Sequence, residues 1–331
     1  MATYSKINGF TVQSLGSDPS PLVEGQVWYN TSSNTLKASP NFLGTGSWAS
    51  ANALNTVRPN NWGGGSGTQT AALAFGGYTV PAAVTNKTES YNGTSWTETG
   101  DLMNTARYGS AACGTQTATL CFSGNAVSPN ATAITEEYNG SSWVVKNTMP
   151  TSKADGTGAG TTEAAKYYSG RGPGATVTTA VFDFDGTNWS VGTSNNTARS
   201  QAGGGGTSTD AVFVGGGPPT VAIFEKWNGS AWAESPDLNN TRRAAFASVT
   251  DGDNVMLGGG EGGAPNYLQT ELYNGTSWSV QAAQAAPHYK NAASTASSSA
   301  AIAIGTSNSP YALCEEWTIP TAITAKTFTS S

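Results

Sequence analysis

The chain is poor in charge. Only 11% of its 331 residues are Asp, Glu, Lys or Arg. Its 15 Lys and Arg form no stripe, and the net charge is −6. Nucleic acid is therefore not an expected partner, because neutralising phosphates takes clustered cations. A single histidine, His288, excludes a copper or zinc site built on several imidazoles. It also leaves no arguable Ser-His-Asp arrangement. The three cysteines, Cys113, Cys121 and Cys314, are odd in number and lack metal-ligand spacing. A hairpin turning over 114–117 would set Cys113 against Ala118 and Cys121 against Ser110, so all three read as small buried apolar residues. No apolar run approaches the roughly 20 residues that span a bilayer. The opening "MATYSKINGF" shows no apolar stretch of the secretory-signal kind.

What the chain does contain is small and aromatic: 41 Gly, 10 Trp, 12 Tyr and 10 Phe. Ser, Thr, Asn and Ala fill much of the remainder. That mixture suits short strands and tight turns rather than helices, and the aromatics supply enough burial to rule out disorder.

The aromatics recur in register. The hexapeptide "YNGTSW" stands at 91–96 and again at 273–278, with "YNGSSW" at 138–143. Aligned on its last residue, six copies appear, at Trp48, Trp96, Trp143, Trp189, Trp232 and Trp278, at intervals of 43–48 residues. About ten positions later comes a basic residue: Arg58, Arg107, Lys153, Arg199, Arg242 and, in the last copy, His288. A run of very small residues follows, then an apolar strand ending in glycine, as in "LAFGG" (73–77) and "VMLGG" (255–259). A variable stretch containing proline leads to a strand with an acid two places before its aromatic: Glu89, Glu136, Glu225, Glu271 and Glu315. Phe182 stands in place of one acid.

Each unit thus holds four short apolar runs separated by turn chemistry, and "NG" between an aromatic and a Trp signals a hairpin. Four strands per roughly 45-residue unit, six times over, predicts an all-β chain forming a six-bladed β-propeller with four-stranded blades. The small-residue strand belongs at the crowded axis, and Tyr and Trp belong where blades splay. The final unit has Trp317 at the Tyr91 position but no hexapeptide Trp after it. The missing outer strand is expected from the N-terminal "GTGSW" (44–48), so that one blade joins both ends of the chain. The expected organisation is an N-terminal hairpin arm over 1–41, a propeller over 42–319 and a C-terminal tail over 320–331.

The order of glycine pair, aromatic, Trp and basic residue, carried by Gly76-Gly77, Tyr91, Trp96 and Arg107 and by Gly258-Gly259, Tyr273 and Trp278, resembles the kelch repeat. The resemblance covers about 42–318. It implies the propeller architecture and says nearly nothing of activity, since one fold hosts many functions. The stretch "EGQVWYNTSSNTLKAS" (24–39) reads as a further hairpin and resembles segments of tail and fibre proteins of tailed bacteriophages. That likeness implies a virion protein on the exterior of the particle, in several copies, with other virion proteins as partners and Trp28 and Tyr29 as candidate anchors.

No catalytic set emerges. A galactose-oxidase-type copper site needs histidines that are missing. "FDFDGTNWS" (182–190) is similar to a sialidase Asp box, but Asp185 and Gly186 are adjacent where such a box separates them, so a hairpin turn is the better reading. The basic residues Arg58, Arg107, Arg199 and Arg242 recur in phase with the acids, once per blade. Groups repeated in every blade hold blades together, whereas catalysis needs unequal ones. "GGGSG" (63–67) and "AGGGG" (202–206) do not lie between a strand and a helix and so are not phosphate cradles. "EGGAPN" (261–266) offers one carboxylate, too few for calcium. No cofactor and no metal are expected. The remaining feature is a face of variable loops on a rigid ring, where binding normally sits. Tyr78 and Tyr267 are its candidate contacts, either stacking on sugars or packing the loops. The expected role is a non-enzymatic virion module that meets a partner protein or a host glycan. A pure decoration protein and a glycan-active enzyme using the axial opening are the alternatives.

Overall fold

A computed structural model describes residues 12–20, 26–38, 41–43, 45–58, 64–79, 83–102, 105–127, 130–262, 268–288, 292–293, 297–306, 309–323 and 326–327. The described chain is all-β, with a 3-10 turn at Pro173–Ala175 and no α-helix. It divides into two units, one of residues 1–46 with 319–331 and one of residues 47–318.

In the smaller unit, Val27–Asn30 and Thr35–Ala38 form the hairpin expected near 24–39. Gln13–Leu15 flanks it in parallel and Lys326–Thr327 pairs on its other side. Asn41–Leu43 pairs with Thr321–Ile323. The stretch expected as a free tail thus contributes two strands that pair with the N-terminal segment.

The larger unit holds six four-stranded antiparallel sheets among the described residues. Sheet 1 is Gly64–Thr68, Ala71–Phe75, Thr88–Tyr91 and Trp96–Thr99. Sheet 2 is Ala111–Thr115, Ala118–Phe122, Thr135–Tyr138 and Trp143–Lys146. Sheet 3 is Thr157–Gly160, Ala165–Tyr168, Val181–Phe184 and Trp189–Val191. Sheet 4 is Gly203–Gly206, Ala211–Val214, Phe224–Trp227 and Trp232–Ser235. Sheet 5 is Phe246–Asp251, Asn254–Gly258, Thr270–Tyr273 and Trp278–Val280. Sheet 6 is Ala292–Ala293, Ala300–Ile304 and Cys314–Thr318, and its fourth strand is Ser47–Ala51 from the other end of the unit.

The register explains the hexapeptide. Its first aromatic and its Trp are cross-strand partners in every sheet: Tyr91 with Trp96, Tyr138 with Trp143, Phe184 with Trp189, Trp227 with Trp232, Tyr273 with Trp278, and Trp317 with Trp48. Ring centroids in the six pairs lie 4.9–5.6 Å apart. Such pairs each add about 0.5–1.5 kcal/mol beyond their area. The turn between them differs from a simple "NG" hairpin. Only the glycine takes positive φ, +88° at Gly93. Asn92 instead accepts the backbone N–H groups of Thr94 and Ser95 on Oδ1, at 2.9 and 2.8 Å. Asp185 does the same for Thr187 and Asn188, so the Asp-box-like stretch is a turn of this kind.

The sheets stack face to face. The first strands of sheets 1 and 2, 2 and 3, 3 and 4, 4 and 5, 5 and 6, and 6 and 1 lie against one another. Small residues make this possible: a Cβ on Gly158 of sheet 3 would fall 2.6 Å from the Ala112 carbonyl oxygen of sheet 2. Between the first strands of sheets 2 to 5 is a cavity of about 190 Å³, lined by Gly, Ala and Thr together with Cys113 and Val249. Apolar clusters fill the interfaces further out. One joins Leu73 and Phe75 to Cys121, Tyr138 and Trp143, and another joins Tyr91 and Trp96 to Ile302, Ile304 and Cys314. The three cysteines are buried as expected, but the first hairpin turns over Gln116 and Thr117 alone. That tighter turn sets Cys113 against Leu120 and Cys121 against Ala112, not against Ala118 and Ser110.

Candidate functional site

The repeated Trp, Arg and Glu residues converge on the joints between sheets. Every hexapeptide indole N–H donates to the preceding sheet or the connection leaving it. Trp143, Trp189 and Trp48 reach the hydroxyls of Thr88, Thr135 and Thr270 at 2.9–3.0 Å. Trp96, Trp232 and Trp278 reach the carbonyls of Asn52, Thr193 and Pro236 at 2.9–3.2 Å. Buried indole N–H groups need such partners.

The basic residue lies on the connection entering each sheet, and the acid lies on that sheet's third strand. Arg58 pairs with Glu89, Arg107 with Glu136, Arg199 with Glu225, Arg242 with Glu271, and His288 with Glu315. All ten side chains are 5% exposed or less. The carboxylate does more than neutralise the cation. Glu89 accepts the backbone N–H groups of Asn55 and Thr56, Glu225 those of Asn196 and Thr197, and Glu315 those of Ala285 and Ala286. These three acids therefore fasten the incoming connection, with the guanidinium or imidazole completing their coordination. Asn55, Asn196 and Asn239 add a bond from Nδ2 to the carbonyl of Trp96, Trp232 or Trp278. This Asn and the Thr preceding several of the acids carry part of the joint. Their periodic placement before Arg and Glu was the available signal.

His288 sits in this scheme with Nε2 2.8 Å from Glu315 Oε2 and Nδ1 2.5 Å from the Gly305 carbonyl oxygen. Burial alone would raise the pKa of Glu315, but the hydrogen bond to His288 and the two backbone N–H groups outweigh it and hold the carboxyl below its usual value.

On one side of the sheets, the connection after the Trp strand meets the loop after the glycine strand. Isolated bridges join Tyr108 to Asn125, Ala154 to Arg171, Ser200 to Gly217 and Arg243 to Glu261. Two residues after Arg107, Lys153, Arg199 and Arg242 the backbone turns left-handed, with φ of +64° at Gly109, +55° at Asp155, +56° at Gln201 and +54° at Ala244. Three of these are not glycine, a strained choice worth about 1–3 kcal/mol each. The backbone N–H of Asp155 donates to the Gly109 carbonyl, that of Gln201 to Asp155, and that of Ala244 to Gln201, at 2.5–2.9 Å. A belt of hydrogen bonds thus links sheets 2 to 5 on this side.

Unlike the joints, the side chains along this belt differ from sheet to sheet. Around sheets 2 and 3 they form one polar cluster. Arg171 Nε lies 2.5 Å from Asp155 Oδ2. A Cβ on Gly109 would meet Asp155 Oδ1 at 2.3 Å and Asn125 Nδ2 at 3.3 Å, so both polar groups converge above that glycine. Tyr108 is buried, and its ring packs at 4.4 Å from that of Tyr78. Burial, and then the hydrogen bond with Tyr108, push the Tyr78 hydroxyl's pKa well up. The buried Tyr167 hydroxyl and Asn125 Nδ2 make no hydrogen bond among the described residues. Tyr78 was expected as a loop-face contact and is half-buried in this cluster. Tyr267 lies outside the described residues.

In the smaller unit, the candidate anchor Trp28 is 1% exposed and donates from Nε1 to Asp18 at 3.1 Å. Tyr29 is half-buried and its hydroxyl bonds to Asn34 at 3.2 Å. Among the described residues no group of three or more His, Cys, Asp and Glu is placed to hold a metal ion. No helix there is long and apolar enough to cross a membrane. Compared with protein-family models and with curated proteins, the chain matches none.

Proposed function

We propose that residues 47–318 form a closed, six-bladed, kelch-like propeller that serves as a non-enzymatic binding module. Closure is supported by the pairing of Ser47–Ala51 with Cys314–Thr318. It is also supported by bonds across sheets 6 and 1, where Tyr91 donates to Glu316 at 2.8 Å and Gln69 to the Trp317 carbonyl at 2.8 Å. With all six faces buried on neighbours, the ring has no open edge to offer, and recognition falls to the loops.

The observation that carries the binding reading is the contrast between equal joints and unequal belt. Five clasps repeat one base–acid geometry and are spent on holding sheets together. Tyr78, Tyr108, Asn125, Asp155 and Arg171 occur once and converge in one place, where the half-buried Tyr78 and Arg171 supply an aromatic ring and a donor beside the buried Tyr108, Asn125 and Asp155. That set suits a ligand rich in hydroxyls, such as a glycan, or a polar protein surface. The likeness of residues 24–39 to phage tail and fibre segments extends the reading. The module is carried on the exterior of a virion, docked through the smaller unit, in several copies. A glycan-array screen of the intact chain, with Tyr78→Ala alongside, tests the ligand. Saturable binding weakened tenfold or more in the variant is expected, and no binding on any glycan or partner surface overturns it. Immunogold labelling of purified particles tests the location, and label absent from particles removes the virion reading.

A further inference from the structure

Sheet 3 breaks the clasp. At the position where Glu89, Glu136, Glu225, Glu271 and Glu315 stand it has Phe182, 4% exposed, yet the base remains as Lys153. Lys153 is itself only 6% exposed. Its ammonium donates to Thr178 Oγ1 at 3.1 Å. An ammonium carries three donors, so two have no acceptor among the described residues. Among the described residues no carboxylate offsets the desolvation, and burial lowers the pKa of Lys153. An isolated buried ammonium is costly, and each of the other five bases avoids that cost through its acid.

Beside this ammonium there is room at Gly172. A Cβ built on Gly172 meets one neighbour within 4 Å, the Lys153 Nζ at 3.8 Å. The loop that carries Gly172 also carries Arg171, whose guanidinium is taken up by Asp155 of the belt cluster. Thr132, which bridges to Lys153, has a hydroxyl with no partner among the described residues.

We infer that Lys153 is an anion site whose ligand is the carboxylate of an acidic sugar, taking at sheet 3 the role that the chain's own Glu plays in the other five sheets. The carboxylate accepts from Lys153 Nζ and from the Thr132 hydroxyl, in the room beside Gly172. A saccharide is favoured as its carrier because the adjoining cluster has the half-buried Tyr78 ring for a sugar face and the half-buried Arg171 for its hydroxyls. The choice of sugar rests on the binding-module reading, whereas the anion site does not.

The test is calorimetric titration of the full chain with D-glucuronate, with D-glucose and N-acetyl-aspartate as separate arms. Glucuronate is expected to bind saturably and glucose at least tenfold more weakly. Lys153→Met should abolish glucuronate binding. Phe182→Glu should abolish it too, because the new carboxylate occupies the ammonium, and should raise Tm by restoring the clasp. Phe182→Glu keeps the test valid if Lys153→Met fails to fold. No saturable glucuronate binding, or binding unchanged in either folded variant, overturns the anion site. N-acetyl-aspartate binding as tightly as glucuronate overturns the sugar assignment in favour of an acidic peptide, with the Lys153 site intact. Failure of the glycan screen with glucuronate binding retained would remove the wider reading alone.

Discussion

Trp48 and Trp317, from opposite ends of the larger unit, face each other with ring centroids 5.3 Å apart and planes inclined at 46°. Tyr138 and Trp143, five residues apart in one hairpin, show the same 5.3 Å and 46°. A pair assembled from distant segments thus reproduces the local one. The indole of Trp48 also donates to Thr270, as that of Trp143 does to Thr88.

This equivalence predicts the cost of truncating each Trp. Trp143 is fully buried, so Trp143→Ala should cost about 3–5 kcal/mol. Trp48 is half-buried, and Trp48→Ala should cost less. Urea unfolding of both variants checks the order. A Trp48→Ala variant as stable as the parent would show that its strand adds nothing to sheet 6.

The clasps should respond unequally to removal of acid and base. Glu89→Ala leaves Arg58 buried without its charge partner and also releases the N–H groups of Asn55 and Thr56, so a loss of about 3–5 kcal/mol is expected. Arg58→Met leaves those two N–H bonds to Glu89 in place and should cost less. Denaturant midpoints of the two variants decide the order. Equal losses would mean that the carboxylate serves only the guanidinium.

The clasp of sheet 6 predicts a dependence on acid. The Glu315 carboxyl is held below its ordinary value in the folded chain. Its contribution is therefore complete above the unfolded pKa of about 4.3 and is lost as pH falls through the lower folded value. The Tm difference between the parent and Glu315→Gln should be largest near neutrality and shrink below about pH 4. A difference that is flat with pH would mean that the ionised form is not the one stabilised.

The thiols should be silent in the folded chain. Burial pushes Cys314 up to about 12, and burial likewise raises Cys113 and Cys121. The thiolate is the reactive form. Titration with a thiol-specific disulfide reagent at pH 8 should find no fast-reacting group in the native protein and three in guanidinium chloride. A fast-reacting native thiol would contradict the packing of sheets 2 and 6.

Much of the fold was legible in the sequence because it is local. A Tyr five residues before a Trp, with Asn-Gly between, can scarcely be anything but a cross-strand pair. Three such hairpins, two variants of them at Phe184–Trp189 and Trp227–Trp232, and a small-residue run in each unit indicate sheet count and strand order. The Arg–Glu pairing was legible from its phase. What the carboxylate does with the N–H groups of Asn55 and Thr56 was not, since side-chain-to-backbone bonds between sheets leave no periodic mark of their own. The turn at Gln116 and Thr117 was misplaced because Gly114 suggests an earlier reversal, whereas its +108° φ falls within the strand. The site was read least well. Tyr78 could be picked as a loop aromatic, but Tyr108, Asn125, Asp155 and Arg171 are scattered in sequence and meet only through the bridges between connection and loop. Lys153 looked like one more base, and its importance depends on what Phe182 fails to supply.

Under the proposed closure, Ser47–Ala51, the first strand of the larger unit, seals the ring. Native-state hydrogen exchange on residues 47–51 and 314–318 tests it most directly, since amides in one cooperative unit open with one free energy. Ladder amides of Ser47–Ala51 are expected to exchange as slowly as those of Cys314–Thr318 and of the third and fourth strands of sheet 2. Exchange of 47–51 at rates near those of an unstructured segment, with sheets 1 to 5 still protected, would contradict it.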